Sequence, residues 1–349
     1  MDDSDEFSDA TLRRMVRELR PSWTLRAATP AEEGTDAVYF LTVETPDGPR
    51  ECVLKVCAFV DPEAFRPEPH LLALADRRTA IPVASVLGVA DEHADLPAPF
   101  FLMEHREGEV RENEARELPA DAVTSLAREA GRNLGELHAL GEFEAFGPVR
   151  LARDADRDRG GLAVGDRRLT VGAPAADAWQ TRFERIAAAD LDDLHDRFAD
   201  LEADLRAFAE SRFDALDRGF DPVLGHDDYR LGNLLVDPEA GETTAVLDWG
   251  NAHTVEAQYN LALTEQYFSG WARRDDPLRE RVRKALREGY AETNRLEPDA
   301  AFERRWELYL GVTRLFPLVW FSLWYGDADE DERDRIAAKH REAVRELLD

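Results

Sequence analysis

The residues best suited to chemistry lie in two short segments, each of which follows a predicted strand. Residues 225–236 read GHDDYRLGNLLV and residues 245–250 read AVLDWG. Asp228, Asn233 and Asp248 could converge where those strands end. Carboxylate and amide oxygens suit Mg²⁺ with a phosphate better than they suit zinc, and a carboxylate that holds no metal could accept a proton from an attacking hydroxyl. The pattern therefore predicts phosphoryl-transfer chemistry.

The spacing H-x-D-x-x-x-x-N, which runs from His226 through Asp228 to Asn233, resembles the catalytic loop of protein-kinase-like enzymes. The following Asp248-Trp249 resembles the aminoglycoside phosphotransferase and choline kinase family of small-molecule kinases. The resemblance implies ATP and Mg²⁺ as cofactors. It makes Asp228 the catalytic base, Asn233 and Asp248 the magnesium ligands, and His226 a structural brace for the loop. The alternative is two Asp-rich hairpin turns on an acidic surface.

A single lysine upstream agrees with this resemblance. Lys55 lies in an apolar run on the third predicted strand and is the only lysine in the first 283 residues of a chain that has three. The resemblance implies that Lys55 contacts the α- and β-phosphates of ATP and that Glu68, on the following helix, is its ion-pair partner. Glu63 is the alternative partner, and a solvated position at a strand edge is the alternative for Lys55.

The resemblance also assigns the remaining contacts to the nucleotide. The turn that contains Gly34, Thr35 and Asp36 corresponds to the loop that covers the phosphates, although it carries one glycine rather than three, so backbone amides would make the contacts. Glu104 and Arg106 follow an apolar strand in the linker between two lobes. Their main-chain groups would pair with adenine.

Two positions depart from the family pattern. Arg230 stands where this family more often has a histidine, and it could neutralise the phosphate during transfer. Asn260 stands where the family usually has an aspartate. An amide keeps one acceptor oxygen but carries no charge, so any hydrogen bonds that it accepts from the catalytic loop are weaker than those to a carboxylate. His138 lies on an apolar helix face and is predicted to be a packed core histidine rather than a catalyst.

The predicted architecture is an α+β, two-lobed protein-kinase-like fold. A β-rich N-lobe spans residues 1–103, a hinge spans 104–108, and a mainly helical C-lobe spans 109–349, with a helical insertion near 143–218 and the catalytic loop at 225–250. A Pro-Asp-Gly turn joins two strands of the N-lobe into a hairpin. The charged stretch 153–161 is predicted to be an exposed loop. The longer predicted helices cover residues 9–20, 63–75, 120–140, 175–188, 191–215, 255–270, 277–293 and 301–325.

Composition excludes several classes of protein. There are 73 acidic and 44 basic residues, and the formal charge of −29 disfavours binding to nucleic acid or an anionic membrane. The dispersed acidity is typical of proteins from a salt-filled cytoplasm, with a high-GC mesophile as the alternative source.

Several common motifs and targeting signals are not found. The motifs G-K-[ST], G-x-G-x-x-G, G-x-S-x-G and H-E-x-x-H are absent. No secretory signal or apolar run long enough to span a membrane is seen, which predicts a cytoplasmic protein.

The acceptor cannot be read from the sequence. The expected partner is a small molecule with a hydroxyl group, such as an aminoglycoside, an amino alcohol or a sugar, and the expected assembly is a monomer or a weak homodimer. Three alternatives stay open, namely a protein kinase, a catalytically silent nucleotide-binding module and a scaffolding protein. The absence of a long segment after Asp248 argues against the first. Four tryptophans in the C-terminal half are either core or pocket residues: Trp271, Trp306, Trp320 and Trp324.

Overall fold

A computed structural model describes residues 7–31, 36–110, 118–141, 143–153 and 160–348 of the chain. The chain divides into two units. The first contains residues 1–110, 149–170 and 233–252, and the second contains residues 111–148, 171–232 and 253–349. Among the described residues, no helix is both long and apolar enough to cross a membrane.

A five-stranded antiparallel sheet organises the first unit. Its strands lie in the order β1-β2-β3-β5-β4. The turn between β2 and β3 uses Gly48, whose φ of 117° suits glycine and few other residues. Alternate residues of the strands, including Leu41, Val43 and Leu54, pack with Met15 and Val16 of the first helix into a buried core. The strands are β1 (Thr24–Pro30), β2 (Ala37–Thr45), β3 (Gly48–Val56), β4 (Val86–Ala90) and β5 (Phe100–Glu104).

The sheet carries three helices, α1 (Asp9–Leu19), α2 (Pro62–Phe65) and α3 (Pro67–Arg78). The hydroxyl of Ser8 caps α1 by accepting a hydrogen bond from the N–H of Thr11. Two hairpins from later in the chain belong to the same unit. They are β7 (Leu162–Val164) with β8 (Arg167–Val171), and β10 (Leu234–Val236) with β11 (Thr243–Val246).

The second unit is mainly helical. Two long helices, α4 (Ala120–His138) and α8 (Pro277–Thr293), approach closely because each presents a glycine to the other's backbone. A Cβ atom at Gly131 would overlap the carbonyl oxygen of Leu286, and one at Gly289 would overlap that of Arg128. The other helices are α5 (Trp179–Asp192), α6 (Glu202–Glu210), α7 (Ala257–Phe268), α9 (Phe302–Thr313), α10 (Phe316–Val319), α11 (Phe321–Trp324) and α12 (Glu330–Leu348).

Short strands also occur in this part of the chain. They are β6 (Gly147–Leu151), β9 (Val223–His226) and β12 (Ala252–Val255). Strand β12 pairs with β6 through His253 opposite Pro148 and Thr254 opposite Gly147. The hydroxyl of Thr254 accepts a hydrogen bond from the N–H of Gly147 and can donate to carbonyl oxygens of the same segment, which holds the pair in register.

The structure corrects two of the predicted helices. Residues 191–215 do not form one helix, because α5 continues to Asp192 and a 3-10 turn, Asp196–Leu201, precedes α6. The ring of His195 caps that turn by accepting from the N–H of Arg197. Residues 301–325 break into α9, α10 and α11, since Pro317 lies in the first turn of α10 and has no N–H to continue α9. Of the predicted loop 153–161, residues 154–159 lie outside the described residues.

Candidate functional site

The first unit brings Lys55, Glu68 and Asp248 together. Lys55 projects from β3 and donates to both carboxylate oxygens of Glu68 on α3, at 2.9 and 2.8 Å. A carboxylate oxygen of Asp248 lies 3.6 Å from the same ammonium nitrogen. The side chains of Lys55 and Glu68 are 12% and 4% exposed, whereas that of Asp248 is 40% exposed. The ammonium group of Lys55 therefore lies between the buried carboxylate of Glu68 and the accessible carboxylate of Asp248.

This arrangement keeps the lysine charged. Burial alone would lower the pKa of Lys55, but the carboxylates of Glu68 and Asp248 outweigh it and raise the pKa above the ordinary value. The other proposed partner, Glu63, instead pairs with Arg66 and lies 3.0 Å from Arg153. Of the two acids considered for Lys55, the structure therefore places Glu68 beside it.

The hairpin of β10 and β11 positions Asn233 and Asp248 at the same end. Leu234 pairs with Val246, and the N–H of Leu247 donates to the carbonyl oxygen of Asn233 at 2.8 Å. Asp248 adopts a left-handed conformation with a φ of 54°. Such a conformation in a residue other than glycine is strained and is often found where function requires it.

The residues around Asp248 explain how it is held there. Trp249 is buried, and its indole N–H donates to the carbonyl oxygen of Val246 at 3.0 Å, which anchors the turn. An accessible carboxylate beside an amide residue is a donor set that suits Mg²⁺. The described residues contain no cluster of three or more His, Cys, Asp or Glu side chains placed to hold a metal.

The predicted phosphate loop is described only in part. Gly34 and Thr35 lie outside the described residues. Asp36 is described, and its carboxylate accepts from the N–H groups of Ala58 and Phe59, both at 3.3 Å. Asp36 also adds to the negative field that raises the pKa of Lys55. Its side chain therefore orders the segment after β3, a role that differs from the predicted backbone contact with phosphate.

The predicted hinge residues are held by contacts within the first unit. The Glu104 side chain accepts from Arg50 at 2.6 Å, and its N–H donates to the carbonyl oxygen of Ser85. The guanidinium of Arg106 donates to the carbonyl oxygen of Thr244 at 3.1 Å. The amide of Glu104 is thus already used, so any main-chain contact that Glu104 makes to a base must come from its carbonyl oxygen.

In the second unit, Asp228 lies between two donors. The Nε of Arg230 lies 3.1 and 3.2 Å from the two carboxylate oxygens of Asp228, and the hydroxyl of Tyr267 on α7 donates to the same carboxylate. Burial and the nearby carboxylates raise the pKa of Tyr267 well above its ordinary value, so the phenol stays protonated as a donor. Tyr267 was missed at the sequence level, because only the fold brings it to the loop.

A buried chain of hydrogen bonds connects His226 to three helices. The side-chain amide of Asn260 donates to the carbonyl oxygen of His226 at 3.3 Å, and its oxygen lies 3.1 Å from Nε2 of His138. Nδ1 of His138 lies 3.1 Å from the hydroxyl of Tyr290. Burial lowers the pKa of His138 to about 4, so its ring is neutral. With Nε2 as donor to Asn260, Nδ1 accepts from Tyr290.

The residue before the predicted base also has an unusual environment. Burial raises the pKa of Asp227 to about 7, against the opposing effect of Arg182. Nδ1 of His253 on β12 lies 3.5 Å from its carboxylate. The motif spacing separates the two aspartates by making Asp228 the base, but it assigns no role to Asp227. The structure distinguishes them by contact, because Tyr267 and Arg230 bind Asp228 and His253 lies beside Asp227.

Comparison with known proteins gives the family of the chain. The sequence profile of the APH phosphotransferase enzyme family matches residues 27–306. The chain belongs to this family of phosphotransferases. The match covers most of both units, including the Lys55 cluster and the Asp228 loop, and it confirms the family predicted from the motifs. No curated protein matches the chain significantly.

Solved structures of the phosphotransferase family and of related kinases share the fold. A Ralstonia eutropha protein assigned to the aminoglycoside phosphotransferases is 17% identical with a TM-score of 0.61, and 98% of each chain is covered. The ADP-bound aminoglycoside phosphotransferase APH(2'')-Ib is 14% identical with a TM-score of 0.54 and coverage of 98% and 99%. Plasmodium vivax ethanolamine kinase is 10% identical with a TM-score of 0.52 and coverage of 98% and 91%. The predicted protein-kinase-like fold is confirmed, and the protein is a phosphotransferase.

Proposed function

We propose that this phosphotransferase uses ATP with Mg²⁺ and transfers the γ-phosphoryl group to a hydroxyl of an aminoglycoside-, amino alcohol- or sugar-like acceptor. The observation that carries the proposal is the Lys55–Glu68–Asp248 cluster, in which the only lysine of the first 283 residues is buried, charged and directed beside an accessible carboxylate. A structural ion pair would not require the strained backbone of Asp248.

In the proposed reaction, the site residues of the first unit have distinct roles. Lys55 binds the α- and β-phosphates, and Glu68 holds its ammonium in place. Asp248 and Asn233 would hold Mg²⁺, which offsets the negative charge of the phosphates when it is bound. The carbonyl oxygen of Glu104 and the N–H of Arg106 would pair with adenine. The N–H groups of Gly34, Thr35 and Asp36 would contact the phosphates, as the family pattern implies.

The second unit supplies the base. As the oxygen of the acceptor hydroxyl bonds to the γ-phosphorus, Asp228 accepts the proton of that hydroxyl. The bond between the γ-phosphorus and the oxygen that bridges it to the β-phosphate breaks, and ADP is released. Arg230 and Tyr267 are positioning residues because they hold the Asp228 carboxylate. Arg230 would also neutralise negative charge on the phosphate during transfer, as its place in the motif implies. His226 keeps the loop in place through the hydrogen bond of its carbonyl oxygen to Asn260.

Aromatic residues near the base provide a surface for the acceptor. The ring of Tyr267 lies 5.4 Å from that of Trp271, and Trp271 lies 5.8 Å from Trp324, which is 39% exposed. Trp271 also has a positive φ, of 57°. By contrast, Trp306 is buried and belongs to the core. The names of the similar proteins, an aminoglycoside phosphotransferase and an ethanolamine kinase, support hydroxylated amines as the first acceptors to test.

The test measures ATP consumption with a panel of aminoglycosides, amino alcohols and sugars, at low and at molar KCl. We expect turnover with at least one acceptor. Asp228→Asn should lower that turnover by about 100-fold or more, because a general base contributes a factor of this order, while ATP binding measured by calorimetry is retained. Asp221→Asn, which changes an exposed carboxylate upstream of the loop, is the matched control and should keep parental turnover. Equal turnover in the Asp228 variant would refute the proposed base.

A further inference from the structure

A cavity in the second unit is lined by an unusual number of arginines. Its volume is about 350 Å³, which is within the range of sites for small molecules. The whole chain has a formal charge of −29, so a concentration of cations at one cavity is not a consequence of composition. The cavity contains none of the residues assigned above to phosphoryl transfer. The arginines of its lining are Arg212, Arg273, Arg274, Arg279, Arg283 and Arg314.

Two arginines of the inner wall bind the same acid. Arg279 and Arg283 both bind one buried carboxylate, that of Glu265, with Nε–oxygen distances of 2.8 Å. The indole N–H of Trp306 donates to the same carboxylate at 2.9 Å. Two guanidinium groups therefore share a single negative charge. Because Glu265 is fully buried, it lies behind the wall rather than in the cavity.

Two of the other lining arginines pair with acids. Arg273 pairs with Glu342 and Glu346, and Arg274 pairs with Glu307. The second lining glutamate, Glu303, pairs with Arg287 outside the lining. Arg212 has a different environment. Its guanidinium lies 3.8 Å from the centre of the Phe208 ring and donates to the carbonyl oxygen of Phe208 and to the hydroxyl of Ser211. These contacts leave the positive charge of Arg212 without a neutralising carboxylate among the described residues.

Apart from Gln266, the remainder of the lining is apolar. Phe208, Trp306 and Leu310 face the cavity together with Ala343 and Leu347 of α12. A guanidinium group offers a flat pair of donors that fits a carboxylate or a phosphate. The combination of such donors with aromatic and aliphatic side chains suits a ligand that has an anionic group attached to an apolar one.

We propose that this cavity is a second binding site, which takes a small organic anion consisting of a carboxylate or a phosphate attached to an apolar group. Arg212 and Arg283 bind the anionic end. Phe208 and Leu310, together with Ala343 and Leu347, contact the apolar end. The proposal is independent of the acceptor and of the nucleotide, because it depends only on residues of the cavity.

The test is calorimetric titration of the full chain at constant KCl with phenyl phosphate, benzoate and inorganic phosphate. We expect phenyl phosphate or benzoate to bind, and inorganic phosphate to bind at least fivefold more weakly because it lacks the apolar part. Arg212→Gln removes an unneutralised charge from a half-buried position and should weaken binding by about tenfold. Arg274→Gln, at an exposed lining position, should weaken it by a smaller factor.

Arg281→Gln is the matched control. Arg281 lies on α8 but pairs with Asp121 and is not part of the cavity lining, so its substitution should leave the affinity unchanged. Three results would each overturn the proposal: no binding of either aromatic anion, an affinity that Arg212→Gln does not change, or an equal loss in the Arg281 variant. Equal affinity for inorganic phosphate and phenyl phosphate would overturn the assigned role of the apolar residues.

Discussion

Asp228 is oriented by two side chains that approach it from different parts of the chain. Arg230 is two residues away on the same loop, whereas Tyr267 reaches it from α7. Hydrogen bonds to a charged group contribute about 1.5–3 kcal/mol each, which is enough to select one rotamer of a short side chain. A base fixed in this way can receive a proton only from a hydroxyl that arrives in one direction.

Tyr267→Phe tests this orientation at the residue scale. We expect kcat to fall by about tenfold, because one hydrogen bond to the base is lost and a tenfold change corresponds to about 1.4 kcal/mol. The KM for ATP should not change, since the proposed contacts to the nucleotide phosphates lie on other residues. Steady-state kinetics with saturating acceptor separates the two parameters.

The matched substitution is Tyr325→Phe, which removes a hydroxyl that lies 3.1 Å from His340. It should retain the parental kcat. If Tyr267→Phe is as fast as the parent, or if it changes KM rather than kcat, Tyr267 does not position the base.

Single residues differ in how far the sequence predicts them. Lys55 and Asp248 could be singled out because their spacing follows a family motif and because lysine is rare in this chain. Glu68 required a choice between two acids, which the structure makes by contact. Tyr267 could not be predicted, because a tyrosine on an apolar helix gives no local sign that the helix packs beside the catalytic loop.

At the scale of elements, the catalytic loop is held by helices that contribute buried polar groups. His138 of α4, Asn260 of α7 and Tyr290 of α8 form a chain of hydrogen bonds that ends at the carbonyl oxygen of His226. Gly225 permits the approach, because a Cβ atom there would lie 2.9 Å from the Asn260 side chain. The side-chain amide of Asn260 thus leaves His138 neutral, whereas an aspartate at position 260 would favour the protonated form of His138.

This network predicts a dependence of stability on pH. The pKa of His138 is lowered to about 4, so between pH 6.5 and 4 the unfolded chain binds a proton that the folded chain excludes. The contribution of neutral His138 is complete above pH 6.5 and is lost as the pH falls. Between pH 7 and 4.5 the parent should therefore lose about 2–3 kcal/mol more unfolding free energy than His138→Gln.

Urea unfolding of both proteins at a series of pH values measures this difference. The two curves should converge as the pH falls, although His138→Gln starts with the lower stability. The same convergence is expected for His340→Gln, because burial lowers the pKa of His340 to about 3. Parallel curves for parent and His138→Gln would show that His138 titrates normally in the folded protein.

The sequence indicates regular elements better than it indicates their interruptions. Strands β2 and β3 and helix α8 follow clear patterns with turn or cap residues at their ends. The predicted helix at 301–325 has apolar residues throughout, so its hydrophobic periodicity gives no reason to divide it. The helix is broken near Pro317, which lies in the first turn of the short helix α10. The cap at His195 depends on a ring nitrogen that propensity does not describe.

At the scale of the whole molecule, the acidic surface is only partly neutralised by ion pairs. Arginine pairs such as Arg197 with Asp334 and Arg341 with Asp200 connect distant segments, but exposed pairs of this kind stabilise a protein by about 1 kcal/mol or less. With 73 acidic residues against 44 basic ones, most of the long-range interaction between surface charges is repulsive. Folding concentrates these charges, so repulsion opposes the compact state.

Salt should therefore stabilise the protein. The screening length falls from about 10 Å at 0.1 M salt to about 3 Å at 1 M. We expect the Tm to rise by about 5 °C or more between 0.1 and 1 M KCl, because the loss of repulsion between the excess acids exceeds the weakening of the surface pairs.

Differential scanning calorimetry measures the change in Tm, and the dependence of Tm on salt concentration identifies its cause. Screening is nearly complete at 1 M, so the Tm should level off above that concentration, whereas a steady rise to 3 M would indicate exclusion of salt from the protein surface. A Tm that is constant or falls over the whole range would mean that the ion pairs, and not the net charge of −29, dominate the surface electrostatics.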